Sequence, residues 1–407
     1  MLFLDNMHAK FTFFLFPIFV LIIMFLFVRK ADFLCDERAH FMTISEITNN
    51  NIRDETFARN AQIPTYYYLM SIFTKFFTSD NIANLRLIQT IFSIITIYIV
   101  WLICQEVDPQ YAKIKTLQIL FLPVLNIFLV FIYNESLTLL FTLLSFYFVL
   151  KRKFLWGWVT LFLSITLRQN NIIWLLFLLL YQWWDIVRYD INITKISKFL
   201  KQIWGYLFSI LFIVIFFVIN KGPALADKQA NPLAFHIENI YFLLLIIPIL
   251  FLPILLFQIP QILNKLTKHK WILLTIPFIF ILYWYFFKAD NFFNSDYYIF
   301  HLRNKLINAM LINSIHKIIY FLPILFGIAL TFYQKLLDHK FYALYIFDLF
   351  YLATLWLIEP RYYIIPLVFY LIFRKTVNKK IEIIQVIYFA ILSLINLWGS
   401  VTLKFFL

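Results

Sequence analysis

The sequence predicts an all-helical integral membrane protein with about 13 transmembrane helices. Of its 407 residues, 63% are hydrophobic and only 14% are charged, and the mean hydropathy is +0.83. Soluble domains are about 45–50% apolar and about 25% charged, so much of this chain must face lipid. The two cysteines, Cys35 and Cys104, cannot form a disulfide framework. We therefore predict a single polytopic membrane domain over residues 1–407.

The apolar runs give the predicted spans in order. Phe11–Val28 has no charge and no small-residue cleavage site after it, so we predict an uncleaved first span rather than a signal peptide. The next run extends from near Leu85 to near Cys104. Further runs lie at about 116–131, 134–150, 154–167, 171–184, 203–219, 240–258, 271–287, 318–333, 341–357, 362–373 and 382–403. Several are short for a bilayer, so one or two are candidates for re-entrant segments.

Basic residues are concentrated in every second loop. One set of loops carries 18 of them in about 58 positions, and the alternate set carries about 14 in about 116. The positive-inside rule therefore predicts that the basic loops and the N-terminus face the cytoplasm. The net charge of +14 follows from this bias, so no nucleic-acid partner is predicted.

The other set of loops is predicted to form one external active site. It comprises a long first loop (about 29–84), two medium loops (about 220–239 and 288–317), and polar corners at Arg168–Asn170 and Glu359–Arg361. Within the first loop, Ile63–Phe77 is amphipathic and rich in Tyr and Phe. We predict a helix in the membrane interface there, because a further span would invert every later loop.

Two adjacent carboxylates, Asp36 and Glu37, follow the first span. Neighbouring side chains point in different directions, so they cannot act as an acid and base across one bond. One can serve as a general base while the other holds Arg38 or a substrate hydroxyl. A solvated loop pair is the alternative interpretation.

The other external polar residues supply cations, carboxylates and aromatic rings on one side of the membrane, as a phosphorylated, sugar-bearing lipid requires. Arg168 either binds a phosphate or extends into the headgroups, and Glu359 with Arg361 is a structural pair in the alternative interpretation. The candidate binding residues are His40, Arg168, Gln169, Asn171, Asp227, Lys228, His236, Asp290, Asn291, Glu359, Arg361 and Tyr362.

The sequence contains no P-loop, no Rossmann glycine fingerprint and no H-E-x-x-H motif. The external histidines are not spaced as ligands on one helix, so neither a metal nor another cofactor is predicted. The spans show no arginine ladder and no pair of Gly/Pro-broken segments, which disfavours a voltage sensor or secondary transporter. A non-enzymatic transporter or channel-associated protein remains the alternative to an enzyme.

Several motifs together resemble a known family. They are D-E-x-x-H at Asp36–His40, R-Q-N-N-I-I-W at Arg168–Trp174, A-D-K at Ala226–Lys228, A-D-N at Ala289–Asn291 and E-P-R-Y-Y-I-I-P at Glu359–Pro366. In this order, from about residue 32 to 370, they resemble the dolichyl-phosphate-glucose-dependent α-1,2-glucosyltransferases, which add the last glucose to the lipid-linked oligosaccharide.

The resemblance implies a GT-C type membrane enzyme that uses a polyprenyl-phosphate sugar. The donor would be dolichyl phosphate glucose, the acceptor a lipid-linked oligosaccharide, and the linkage α-1,2 with inversion. An active site on the lumenal side of the endoplasmic reticulum membrane is implied as well. Asp36 becomes the favoured general base with Glu37 in reserve, while Arg168 and Arg361 would hold the leaving phosphate with help from Lys228 and His236.

The sequence departs from the family pattern in three places. Ala226 replaces a glycine, Phe292–Asn294 replaces Arg-His-Tyr, and the proline-rich part of the first loop is reduced to Ala61–Thr65. These departures affect acceptor specificity more than reaction class. The alternative is therefore another GT-C transferase that builds a bacterial or other surface glycan, with its site on the external face of a plasma membrane.

Overall fold

The regular structure is helical. The computed structural model describes residues 2–53, 55–57, 60–77, 81–188, 191–226, 228, 234–288 and 305–405. Within these ranges the only β-pairing is an isolated bridge between Leu336 and Arg374. The predicted all-helical fold class is confirmed for the described part of the chain.

Two compact units make up the chain. The first comprises Met1–Leu120, Leu125–Leu233 and Ala343–Phe347, and the second comprises Phe121–Val124, Ala234–Tyr342 and Asp348–Leu407. A single domain over residues 1–407 stays a prediction.

The helices up to residue 220 begin and end as follows: α1 Leu2–Val28, α2 Glu37–Thr48, α3 Thr65–Thr74, α4 Ile82–Val107, α5 Ala112–Leu120, α6 Pro123–Asn126, α7 Asn134–Leu150, α8 Phe154–Leu167, α9 Ile172–Ile186 and α10 Ile193–Asn220. The later helices are α11 Glu238–Leu250, α12 Leu252–Lys268, α13 Thr275–Phe286, α14 Lys305–Leu311, α15 Ser314–Tyr333, α16 Ala343–Ala353, α17 Ile364–Phe373 and α18 Lys379–Val401. Short 3-10 turns at Gln169–Asn171 and Pro360–Tyr363 form two polar corners.

Four of these helices, α4, α10, α15 and α18, are long and apolar enough to cross a membrane. Two bent pairs raise the number of candidate spans in the described chain to six: α5 with Pro123–Leu129, bent by 59°, and α11 with α12, bent by 95°. Several shorter apolar helices of 10–17 residues accompany them. The structure therefore supports a helical integral membrane protein, while the number of about 13 spans stays a prediction.

Prolines explain the sharper bend. The sequence predicts one run at about 240–258, but the helix breaks at Phe251. Pro248 lies inside α11 and Pro253 lies in the first turn of α12. Proline has no backbone N–H and its ring displaces the preceding turn, so two prolines flanking one residue end the first helix and start another.

The predicted first loop folds into two short helices, α2 and α3, between α1 and α4. With 10 residues, α3 is about 15 Å long, too short for the ~30 Å hydrocarbon core. The expected helix at Ile63–Phe77 is thus confirmed, and its position in the membrane interface stays a prediction. The buried core below this loop consists of Ile44, Ile47, Tyr66, Tyr67, Met70, Leu85, Ile88, Ile132, Leu137 and Leu167.

Small and hydroxyl-bearing residues join the helices of the first unit. The Ser93 and Ser136 hydroxyls lie 2.9 Å apart between α4 and α7, and those of Thr142 and Ser164 lie 2.7 Å apart between α7 and α8. Ser145 also donates to the carbonyl of Gly157 at 2.6 Å. Such contacts are typical of helix packing in lipid, where apolar burial alone does not favour association.

The predicted cytoplasmic loops of the first unit lie at one end. Lys151 Nζ lies 2.6 Å from Glu106 Oε1, and Arg152 Nη2 lies 3.5 Å from Asp185 Oδ2. These pairs connect the end of α4, the corner between α7 and α8, and the end of α9. The ends of α4, α7 and α9 that the charge pattern assigns to the cytoplasm therefore lie together in this unit, and their orientation in the membrane stays a prediction.

Candidate active site

Glu37 is completely buried in an ion pair with Arg86. Its Oε2 lies 2.6 Å from Arg86 Nη2, its Oε1 lies 2.9 Å from Arg86 Nε, and both side chains have 0% exposure. The backbone N–H groups of Leu34 and Ile132 also donate to this carboxylate, at 3.1 and 2.9 Å. Both carboxylate oxygens are therefore engaged, and a burial this complete disfavours the predicted role of Glu37 as reserve base.

Arg86 ties the same carboxylate to the end of α1. Its Nη1 donates to the carbonyls of Val28 and Ala31 at 2.6 and 2.8 Å, and its Nη2 donates to the carbonyl of Asp32 at 3.0 Å. The Arg86 guanidinium also lies over the Phe131 ring at 4.9 Å. This network fixes the chain on which Asp36 is placed.

Asp36 occupies the N-cap position of α2 and is half-buried. Its side chain makes no capping hydrogen bond. Its backbone N–H donates to the Tyr133 hydroxyl at 3.1 Å, and that hydroxyl donates to the Leu34 carbonyl at 2.7 Å. The backbone of Asp36 is thus held in place, and the residue is only partly buried.

His40 lies one turn along α2, surrounded by tyrosines. Its Nδ1 lies 3.0 Å from the Tyr67 hydroxyl, which donates to Asn60 Oδ1 at 3.0 Å. The His40 ring is thus linked to Asn60 through the Tyr67 hydroxyl. The rings of Tyr66, Tyr67 and Tyr133 have centroids 5.9, 5.7 and 5.3 Å from that of His40. The name His40 cluster is used below for a set of six residues: Asp36, His40, Asn60, Tyr66, Tyr67 and Tyr133.

The Tyr66 hydroxyl is buried and has no hydrogen-bond partner within the described part of the chain. Burial raises the pKa of this phenol well above its ordinary value, and the neighbouring Tyr67, Glu135 and Glu37 act in the same direction. The group therefore stays a neutral donor. An unsatisfied buried donor costs about 1–3 kcal/mol, so a ligand that accepts its proton would remove this cost.

The Arg168–Asn171 corner contributes a second charged group. Arg168 Nη2 lies 3.2 Å from Glu135 Oε1, and both side chains are buried. Gln169 Nε2 donates to the carbonyl of Ala61 at 3.2 Å, whereas Asn171 Nδ2 donates to Ser164 Oγ at 2.7 Å inside the bundle. Gln169 is therefore brought to the first loop, and Asn171 has a packing role.

Segment Asn60–Gln62 is where the predicted external loops of the first unit meet. Gln169 reaches it from the corner, and Asn134 Nδ2 donates to Gln62 Oε1. The backbone N–H groups of Leu225 and Ala226 donate to the carbonyls of Ala61 and Asn60 at 2.9 and 3.0 Å. The predicted convergence of these loops is confirmed within this unit. Lys228, in the same stretch, is exposed and donates to the carbonyl of Asn220.

The second unit holds the remaining described candidates. Glu359 Oε2 lies 2.7 Å from Arg361 Nε, and the Arg361 guanidinium lies 5.6 Å from the centre of the Tyr362 ring. His236 Nδ1 lies 2.8 Å from Glu238 Oε1, and its backbone N–H donates to the carbonyl of Ala353 at 2.8 Å.

Asn239 connects the start of α11 to the Glu359–Arg361 corner. It donates to the Leu355 carbonyl at 2.6 Å and accepts from the Tyr363 hydroxyl at 3.0 Å. Asp227, Asp290 and Asn291 lie outside the described residues. In the part of the chain that is described, no group of three His, Cys, Asp or Glu residues could hold a metal ion; the absence of a metal cofactor stays a prediction.

Sequence reasoning missed Arg86, Glu135 and the tyrosines around His40. Arg86 is the one charge at the start of a long apolar run, and Glu135 begins another. An ionisable residue in or beside a span indicates function or a specific partner, and this signal was present for both. The sequence predicts only an interfacial position for the tyrosines of α3, because the burial of Tyr66 and Tyr67 depends on how the first loop folds back.

Comparison with known proteins identifies the family of the chain. A model of the DIE2/ALG10 family matches residues 61–192 and 186–372. The Dol-P-Glc:Glc(2)Man(9)GlcNAc(2)-PP-Dol alpha-1,2-glucosyltransferase of Candida albicans is 25% identical over 264 residues. The match covers 58% of this chain and 55% of that protein, so the chain spans about half the length of the curated relative that it matches. No solved structure matches the chain.

Proposed function

Because the chain belongs to the DIE2/ALG10 family, we propose that it is an inverting glucosyltransferase that moves glucose from dolichyl phosphate glucose onto a lipid-linked oligosaccharide in α-1,2 linkage. The name of the Candida albicans relative gives that donor, that class of acceptor and that linkage. Asp36 is the observation that carries the proposal: it is a half-buried acidic residue at the N-cap of α2, its backbone N–H donates to Tyr133, and its carbonyl accepts from the backbone N–H of His40.

The proposed reaction is a single displacement at the anomeric carbon. An acceptor hydroxyl attacks this carbon, the bond to the dolichyl phosphate oxygen breaks, and the phosphate leaves with the electron pair. Asp36 accepts the proton of the attacking hydroxyl, because that proton must be removed as the new bond forms. The transition state carries positive charge on the sugar and increasing negative charge on the phosphate, so fixed cations near the phosphate lower its energy.

Arg168 is proposed to bind the leaving phosphate in the first unit, and Arg361 is a second candidate in the other unit. Each guanidinium is oriented by a carboxylate, Glu135 or Glu359. A guanidinium carries five N–H donors in a planar arrangement, which suits the bidentate binding of phosphate. The carboxylates limit the rotamers of the arginines, so less conformational entropy is lost when the donor binds.

The tyrosines and amides around segment Asn60–Gln62 are proposed to contact sugar. The Tyr66 hydroxyl is a buried donor, and the Tyr133 and His40 rings pack in a T-shaped arrangement with centroids 5.3 Å apart. Amides and phenols hydrogen-bond sugar hydroxyls, and a site built from such groups rejects analogues that lack the matching hydroxyl.

We further propose that the enzyme has about 13 spans of the GT-C type and that the His40 cluster faces the lumen of the endoplasmic reticulum. The charge bias of the loops supports this orientation. The separation of basic loops from segment Asn60–Gln62 within the first unit supports it as well.

The test is transfer of radiolabelled glucose from synthetic dolichyl phosphate glucose to a diglucosylated lipid-linked oligosaccharide by the purified protein. Asp36→Asn is expected to lower the transfer rate by about 10²–10⁴-fold, the usual contribution of a general base. The matched control is Asp32→Asn, because Asp32 is an exposed carboxylate four residues earlier in the same segment. It should transfer glucose at the wild-type rate.

Full transfer activity of the Asp36→Asn variant would show that Asp36 is not the general base. Dolichyl phosphate mannose serves as the competing donor in the same assay. If the folded wild-type protein transfers mannose and not glucose, the glucosyl assignment is wrong, although a GT-C transferase that uses a polyprenyl-phosphate sugar remains.

A further inference from the structure

The first third of α10 is a charged extension of an otherwise apolar helix. With 28 residues, α10 is about 42 Å long, longer than the ~30 Å hydrocarbon core. Its uninterrupted apolar part begins at Ile203, and the preceding turns carry Lys195, Lys198 and Lys201 at three-residue spacing. Residues three apart are neighbours on a helix surface, so these lysines follow one side of the extension.

Beside these lysines lies a cavity of about 370 Å³, within the size range of small-molecule sites. Lys195 and Lys198 line it from α10, and Arg152 lines it from the corner between α7 and α8. Phe154 and Gln202 also line an adjoining cavity of about 240 Å³, whose wall includes Trp158 and Trp204. The charged cavity therefore continues into an aromatic one.

The charge in the first cavity is predominantly positive. Arg152 is partly neutralised by Asp185, whose Oδ2 lies 3.5 Å from Arg152 Nη2. Lys198 is exposed, and among the residues that the structure describes no carboxylate pairs with it. Among the described residues that line this cavity, three are cations and one is a carboxylate, and this lining favours an anionic ligand.

The second cavity has the composition of a membrane interface. Trp158 and Trp204 pack with ring centroids 5.1 Å apart, and Trp204 is 57% exposed. Leu155 on α8 and Leu200 on α10 are apolar and 55% and 53% exposed. Tryptophan is enriched where hydrocarbon meets the headgroups, so this surface is suited to the upper part of an acyl chain.

We propose that these two cavities form a binding site for one anionic phospholipid, with the phosphate beside Lys195, Lys198 and Arg152 and an acyl chain along Trp158 and Trp204. Basic pockets beside spans bind anionic headgroups, and juxtamembrane Lys and Arg residues add to the attraction. The site lies at the Phe154 end of α8, whereas the Arg168 corner follows the other end of this helix. It is therefore distinct from the candidate active site.

The experiment is native mass spectrometry of the detergent-purified protein titrated with phosphatidylserine or with phosphatidylcholine of the same acyl chains. Wild-type protein is expected to retain phosphatidylserine preferentially. The triple variant Lys195→Gln, Lys198→Gln, Lys201→Gln should bind it roughly tenfold or more weakly. The matched control, Lys265→Gln, Lys268→Gln, Lys270→Gln, removes the same charge at the end of α12 and should retain the lipid. Equal losses in both variants, or no preference in the wild type, would overturn the proposal.

A second variant strengthens binding instead of weakening it. Asp185→Asn removes the carboxylate that competes with the lipid phosphate for Arg152, so it should raise phosphatidylserine retention above the wild-type level. Unchanged or weaker retention would contradict the assigned position of the phosphate. Inorganic phosphate is titrated in parallel by thermal shift. If it stabilises the protein as much as the phospholipid does, the aromatic cavity contributes nothing and the lipid assignment is wrong.

Discussion

Asp36 and Glu37 are neighbours in the chain with different surroundings. Successive side chains on a helix point about 100° apart, so the Glu37 carboxylate turns into the core beside Arg86 while Asp36 stays half-buried. From the sequence alone the pair could be recognised, but its two members could not be told apart. The difference depends on Arg86, which lies 49 residues further along the chain.

Glu37→Gln or Arg86→Met is expected to destabilise the protein by about 3–5 kcal/mol, because either change leaves one uncompensated buried charge or broken network. Thermal unfolding in detergent measures the loss. The control is Lys151→Gln, since the pair of Lys151 with Glu106 is partly exposed and such pairs contribute about 0–1 kcal/mol. Equal and small shifts of the unfolding temperature in all three variants would show that the pair of Glu37 with Arg86 does not stabilise the first loop.

The Tyr66→Phe variant tests whether the Tyr66 hydroxyl binds the sugar or affects only the stability of the protein. Removing an unsatisfied buried hydroxyl should leave the thermal stability unchanged or raise it, because no protein hydrogen bond is lost. If the hydroxyl binds sugar, kcat/KM for glucose transfer should fall about three- to tenfold, the value of one neutral hydrogen bond. Tyr68→Phe, on the exposed side of the same helix, should change neither quantity. Wild-type kinetics in Tyr66→Phe would exclude this contact.

At the scale of helices, the apolar runs located most elements but not their breaks. The predicted run at 154–167 coincides with α8, whereas α10 begins ten residues before the run that predicted it. Lysines lower the local hydropathy, so the predicted apolar run leaves them out. A helix, in contrast, extends as far as its backbone hydrogen bonds do. Asn192 caps α10 by accepting from the Lys195 N–H at 2.9 Å, so the lysines lie inside the helix.

Gly327 allows α15 and α11 to approach closely. A Cβ atom at this position would lie 1.9 Å from the Leu244 carbonyl oxygen, and this backbone atom cannot move away without displacing its helix. Gly327→Ala should therefore cost about 1–3 kcal/mol, as overpacking does, measured by thermal unfolding. Gly157→Ala is the comparison, because its nearest contact is the Tyr206 hydroxyl at 3.0 Å, and its loss should be smaller. A larger loss of stability in Gly157→Ala than in Gly327→Ala would contradict this explanation of the packing at Gly327.

At the scale of the whole molecule, the charge pattern predicted which loops belong together. The first loop, the corner at Arg168 and the stretch at Leu225 do meet, although they are far apart in the chain. The loop motifs gave the residue types of the candidate site. The fixed orientations of Arg168 and Arg361 could not be predicted, because each depends on the rotamer of a partner carboxylate.

Glycosylation mapping tests the predicted orientation. The chain has acceptor sequons at Asn134 and Asn192. Asn134 is buried, and Asn192 is exposed in a predicted cytoplasmic loop. Wild-type protein made in microsomes should therefore carry no N-glycan. Arg53→Thr completes a sequon at the exposed Asn51 of the first loop and should add one, seen as an endoglycosidase-sensitive gel shift. A wild-type glycan that disappears in Asn192→Gln would invert the topology.

The carboxylate of Glu37 has a consequence for the order of events during biosynthesis. Its partners are Arg86 and the N–H of Ile132, which leave the ribosome 49 and 95 residues later. Until the chain has been made as far as Ile132, the segment that carries Asp36 cannot reach its final conformation. A missense change at Arg86 would therefore act on the nascent chain as well as on the mature protein, and it should lower the amount of protein made in addition to its thermal stability.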